Sequence, residues 1–160
     1  MKSTSAGVSR SVKIVLWIAL GIVSVLAVVA FSLSYMIMTG DFRAGNTASA
    51  IGSLRTINDC AAKYALEHPQ QGYPSTLAFL GSKDGKCIDA QLESGTQHGF
   101  TFTYRPGPVQ AKGGIKTYSI TAQPIHFGRT GNASFFSDES SAIRMTREHR
   151  AATVADPPLQ

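Results

Sequence analysis

The chain has 160 residues, with 15 Lys and Arg against 10 Asp and Glu, a formal net charge of +5 and a mean hydropathy of +0.01. Three of the basic residues, Lys2, Arg10 and Lys13, precede an uncharged run from Ile14 to Gly40, and no acid does. The basic excess therefore belongs more to that flank than to residues 41–160. Those have room for one small domain and carry no basic stripe of the kind nucleic-acid binding needs, so no nucleic-acid partner is expected.

The run itself, IVLWIALGIVSVLAVVAFSLSYMIMTG, is the longest coherent signal. A bilayer core of about 30 Å takes about 20 apolar residues at about 1.5 Å each, and this stretch exceeds that. A secretory h-region is about 7–15 residues long and ends at a small-x-small site. Tyr35-Met36-Ile37-Met38 is a poor cleavage context, so a retained transmembrane helix over 14–40 is expected. The basic residues on its short N-terminal side place residues 1–13 in the cytoplasm and the remainder outside, by the positive-inside rule. The expected arrangement is thus single-pass, with the lipid bilayer as partner.

Gly40 and Gly45 weaken helix propensity, and a kink or break is expected between them. Asn46 or Thr47 can then cap an amphipathic helix that Pro69 stops. Ile51, Leu54, Ile57 or Asn58, Ala61, Tyr64 and Ala65 form its apolar stripe. Arg55, Asp59, Lys63 and Glu67 alternate in sign at i,i+4 spacing and read as its solvated face. After the polar loop QQGYP, Ser75 to Gly81 predicts one or two helical turns. A Lys/Asp/Gly turn at 83–86 leads into a short helix or extended pad over Cys87–Leu92, ended by Gly95.

From Gly99 the period changes to two. Phe100, Phe102 and Tyr104 alternate with Thr101, Thr103 and Arg105, a half-buried strand closed by Pro106-Gly107-Pro108. Lys116–Gln123 alternates likewise, with Tyr118, Ile120 and Ala122 on one face. Ala133–Ser137 and Ala142–Thr146 give two more strands around a hairpin turn at Asp138-Glu139-Ser140-Ser141. The segment from Ala151, with Pro157-Pro158, predicts a flexible tail. The fold class expected is α+β: an N-terminal transmembrane helix, an amphipathic helix, and an antiparallel β-meander of about four strands. The corresponding divisions are 1–13, 14–40, 41–150 and 151–160.

Residues that could carry chemistry are sparse. Cys60 and Cys87 are the two cysteines, both on the expected outer side. In an oxidising compartment they would form one disulfide, worth roughly 3–4 kcal/mol in the chain-entropy model. Two free thiols are the alternative. A metal site finds no ligand spacing among His68, His98, His126 and His149. Asp138-Glu139 suits a turn better than a catalytic carboxylate pair, no G-x-S-x-G is present, and Gly113-Gly114 lacks a phosphate-cradle context. Asn132-Ala133-Ser134 fits the N-glycosylation pattern, relevant only in a glycosylating host. No catalytic residue, cofactor, metal or small-molecule substrate is expected.

Several blocks together resemble the type IV pilin and pseudopilin superfamily, in particular a bacterial group of pilin-like proteins. They are Ala48–Asn58 (ASAIGSLRTIN), Gly99–Tyr104 (GFTFTY), Tyr118–Ala122 (YSITA) and Phe135–Arg144 (FFSDESSAIR). The resemblance covers roughly 46–150. It implies a pilin-like head on a membrane helix, located in a bacterial inner (cytoplasmic) membrane with the head periplasmic, and a non-enzymatic structural or accessory role in a type IV pilus or type II secretion-like apparatus, with other pilin-like or secretion-system proteins as partners. The N-terminus departs from the family. Its precursors carry a glutamate at the fifth position after a processing glycine, whereas Gly7 here is followed by Val8-Ser9-Arg10-Ser11-Val12. The alternatives are a processed filament-forming subunit or an anchored extracytoplasmic binding module.

Overall fold

The computed structural model describes residues 10–81, 86–111 and 113–159. The basic tail before Arg10 and most of the expected turn at 83–86 lie outside them. The chain divides into two units, Met1–Gly40 and Asp41–Gln160.

A single helix, α1, runs from Arg10 to Glu67. The break expected at Gly40 and Gly45 is absent: both are helical, and a Cβ on either would meet open space. A helical glycine costs about 1 kcal/mol relative to alanine but keeps its N–H and C=O in the ladder, and no proline interrupts the chain before Pro69.

In the second unit, α1 is followed by a 3-10 turn at Leu77–Phe79 and a one-turn helix, α2, at Ala90–Glu93. Asp89 caps α2 by accepting from Leu92 N at 2.8 Å. Five strands follow: β1 (Thr96–Gln97), β2 (Phe100–Pro106), β3 (Tyr118–Pro124), β4 (Ser134–Asp138) and β5 (Arg144–Thr146). They pair in chain order, all antiparallel, which makes the fold α+β with a five-stranded meander. The added strand is β1, too short to show an alternation. A turn through His98 and Gly99, both at positive φ, folds it onto β2.

Register puts Phe102, Ala122, Phe135 and Met145 in one cross-strand row and Tyr104, Ile120 and Ser137 in the next. This face meets the stripe of α1 in one core holding Ala50, Leu54, Ile57, Cys60, Ala61 and Tyr64 with Phe100, Phe102, Tyr118, Ile120 and Phe135. Phe100 and Phe135 are fully buried, with ring centroids 6.1 Å apart. The opposite face carries Thr103, Thr121, Phe136 and Arg144, all partly or fully exposed.

The expected flexible tail at 151–160 is instead tied down over Ala151–Leu159. Met145 N donates to Pro157 O at 3.0 Å, Leu159 N donates to Ile143 O at 2.7 Å, and Arg144 and Pro158 form an antiparallel bridge. These bonds cover the β5 edge, the kind of unpaired strand border that proteins usually protect.

Candidate functional site

The first unit offers one surface. Every large apolar side chain of α1 from Val12 to Met38 is exposed, Trp17 at 72 %, and the most apolar window has a mean hydropathy of 2.9 with none of it buried. α1 is thus long and apolar enough to cross a membrane. Its hydroxyls are compatible with that medium, because Ser24 donates to Gly21 O and Ser32 to Val28 O, both at 2.8 Å. The first turn contains no acid, and Val12 stands there half exposed. A shallow apolar groove of about 440 Å³ surrounds Gly21, between Ile18 and Val25.

In the head, a polar group sits inside the apolar interface. Asn58, on the helix face that sequence periodicity left shared between Ile57 and Asn58, is 2 % exposed. Its Nδ2 donates to Ser137 Oγ at 2.8 Å, while Tyr118 Oη donates to its Oδ1 at 2.9 Å. Ser137 Oγ donates onward to Ala142 O at 3.1 Å. Helix, β3 and β4 are therefore joined by one satisfied chain of bonds, and none of its members is left unpaired. Burial holds the Tyr118 phenol well above its ordinary pKa, with Tyr73 and then Asp138, Glu139 and Asp59 adding to the effect. It remains a donor at any ordinary pH. Burial does the same to Tyr104, whose Oη donates to Pro74 O at 2.9 Å and whose ring stacks on Tyr118 at 5.4 Å.

Cys60 and Cys87 are bridged, with Cα atoms 5.9 Å apart and a sequence separation of 27. The bond fastens the segment before α2 to the middle of the amphipathic stretch of α1. A cleft of about 220 Å³ lies beside it, with the exposed Lys63–Glu67 pair (3.8 Å) on its rim. Such a pair contributes little in water.

The acids of the β4–β5 turn hold backbone. Asp138 Oδ1 accepts from Ser140 N at 3.0 Å, and Glu139 Oε2 from Tyr118 N at 3.3 Å. At the C-terminus, Asp156 takes both ends of the Arg150 guanidinium, at 2.9 and 2.5 Å, and accepts from Thr153 N at 2.7 Å. These bonds, the Arg150 bond first, keep its carboxyl well below the usual carboxylate range. The sequence reading missed this clasp. The one signal for it was a cation and an acid flanking a short segment before Pro157-Pro158.

Among the described residues no group of His, Cys, Asp and Glu is placed to hold a metal ion. The chemistry on view is that of hydrogen-bonded structure and an apolar helix surface. No family model, curated protein or solved structure matches this chain.

Proposed function

We propose that the chain is a membrane-anchored pilin-like protein that displays its α+β head outside the cytoplasmic membrane, as a non-enzymatic structural or accessory component of a type IV pilus or type II secretion-like apparatus. The observation that carries this reading is α1 itself, one helix from Arg10 to Glu67: its uncharged stretch leaves every large apolar side chain exposed, and its later turns bury a stripe against an antiparallel sheet. The sequence blocks at 48–58, 99–104, 118–122 and 135–144 support the same family. They fall on the packed part of α1, β2, β3 and the β4–β5 hairpin. Alkaline carbonate extraction of membranes tests the anchor. A chain that stays with the pellet agrees with it, and release into the supernatant contradicts it. Co-purification with pilus or secretion components after crosslinking tests the role.

A processed, polymerising subunit is the second reading, and the same single helix favours it, since a filament core needs one unbroken helix. Against it stands Val12 at the position of the family's glutamate, which leaves a neighbouring N-terminal amine without its charge partner. N-terminal sequencing decides: a start at or near Met1 removes this reading, and a start at Val8 supports it.

A further inference from the structure

The antiparallel order of the sheet gathers the β1–β2 turn, the β3–β4 loop at 125–133 and the segment after β5 at one end, because β2 and β4 begin there while β3 and β5 finish there. Two long-range bonds fix that end beside the first residues of the head. Arg43 Nη1 donates to Gly128 O and Asn46 Nδ2 to Thr130 O, each at 3.1 Å. Arg43 follows the last residue of the uncharged run, Gly40, by three positions, about 4.5 Å of helix rise. A headgroup layer is about 5–8 Å deep on each side of the hydrocarbon core.

The side chains at this end suit such a layer. Phe42 is 66 % exposed and Ile125 49 %, while Phe127 is half-buried and stacked on His149 at 4.6 Å. Arg129 is exposed. The β1–β2 turn and the 125–133 loop contain no acid, whereas Asp138 and Glu139 occupy a turn at the opposite end of the sheet. The acids adjoining this end are Asp41, Glu148, Asp156 and Asp89: Arg150 pairs with both Glu148 and Asp156, and Asp89 accepts from Gln97 Nε2 at 2.7 Å. Surfaces that lie in a membrane interface bury Phe and aliphatic side chains at the headgroup/acyl boundary, and arginine reaches lipid phosphates from an apolar footing.

We propose that this end of the head is a lipid-contacting platform, with Phe42, Ile125 and Phe127 in the interfacial layer and Arg129 on the phosphates of the bilayer that α1 crosses. The proposal rests on the membrane-spanning reading of 14–40. The uncharged run rises about 40 Å against a core of about 30 Å, and a platform drawn to the surface absorbs the difference as helix tilt.

Trp17 is the one tryptophan of the chain and lies inside the apolar run, which supplies the test. The full chain is reconstituted in phosphatidylcholine–phosphatidylglycerol vesicles whose acyl chains carry bromine either close to the glycerol or, in a parallel set, deeper along the chain. Emission is read from the native Trp17 and from three single-tryptophan variants in a Trp17→Phe background: Ile125→Trp, Phe42→Trp and Val109→Trp. Val109 is 74 % exposed in the connection between β2 and β3, at the far end of the sheet. The expected result is quenching at 125 and 42 a few-fold greater than at 109. No quenching at 125 or 42, with native Trp17 quenched by deeper bromines, overturns the platform and leaves the anchor standing. Equal quenching at 109 overturns it too, since the head would then lie on the membrane without a preferred end. If Trp17 itself escapes quenching at every depth, the anchor and the platform fall together.

Discussion

Replacing Asn58 by leucine tests the account of how the helix is registered on the sheet. The change keeps the number and branching of side-chain heavy atoms at a position 2 % exposed and removes both bonds that Asn58 makes. Ser137 Oγ keeps its acceptor in Ala142 O, so the group left stranded is the Tyr118 hydroxyl. A buried polar group without a partner costs about 1–3 kcal/mol. Removing that hydroxyl as well, in Asn58→Leu with Tyr118→Phe, leaves an apolar contact of similar shape that is expected to be close to neutral. The single variant should therefore lose about 1–3 kcal/mol, the double variant should recover most of it, and the coupling between the two sites should be about 1 kcal/mol or more. Urea unfolding of the full chain in detergent, followed by the near-UV circular dichroism of the tyrosines, measures all four corners of this cycle. Additive single effects, or an Asn58→Leu variant as stable as the parent, would refute the buried network as a specifying element.

Other consequences are open to measurement. Replacing Cys60 and Cys87 by serine should cost about 3–4 kcal/mol, from the loop closed at a sequence separation of 27, read as a lower urea midpoint than the oxidised parent. Gly72 has φ +72°, and a Cβ there would stand 2.1 Å from Ile115 O, so Gly72→Ala should destabilise the head by about 1–3 kcal/mol in the same assay. The Asp156 carboxyl is depressed in the folded state. Its contribution is therefore fully present above its ordinary value of 3.8 and is lost as pH falls below that. Hydrogen exchange at the Met145 and Leu159 amides should accelerate, relative to the rest of the sheet, below that pH in the parent and already at neutral pH in Asp156→Asn.

Much of the head was readable because its elements are repetitive. Phe100, Phe102 and Tyr104 declare β2 by strict alternation, and Leu54, Ile57, Ala61 and Tyr64 declare the helix face that covers them. What escaped has no period. β1 is two residues long, and its existence depends on the turn at His98-Gly99 and on a partner strand. The segment from Ala151 to Leu159 is held by Arg150, Asp156 and backbone bonds to β5, contacts that leave no hydrophobic pattern in sequence. Gly40 and Gly45 suggest a break that does not form, because two local penalties of about 1 kcal/mol do not outweigh propagation of a long helix. Cys60 and Cys87 were recognisable as a pair from compartment arguments alone. Asn58 was placed on the right face, yet its role became visible only with Tyr118 and Ser137 opposite it.

The central claim is that the run from Ile14 to Gly40 spans the cytoplasmic membrane with residues 41–160 outside. Protease added to spheroplasts and to inverted membrane vesicles tests it directly. The account predicts that the head is digested in spheroplasts and protected inside inverted vesicles. A head protected in spheroplasts and digested in inverted vesicles would contradict it.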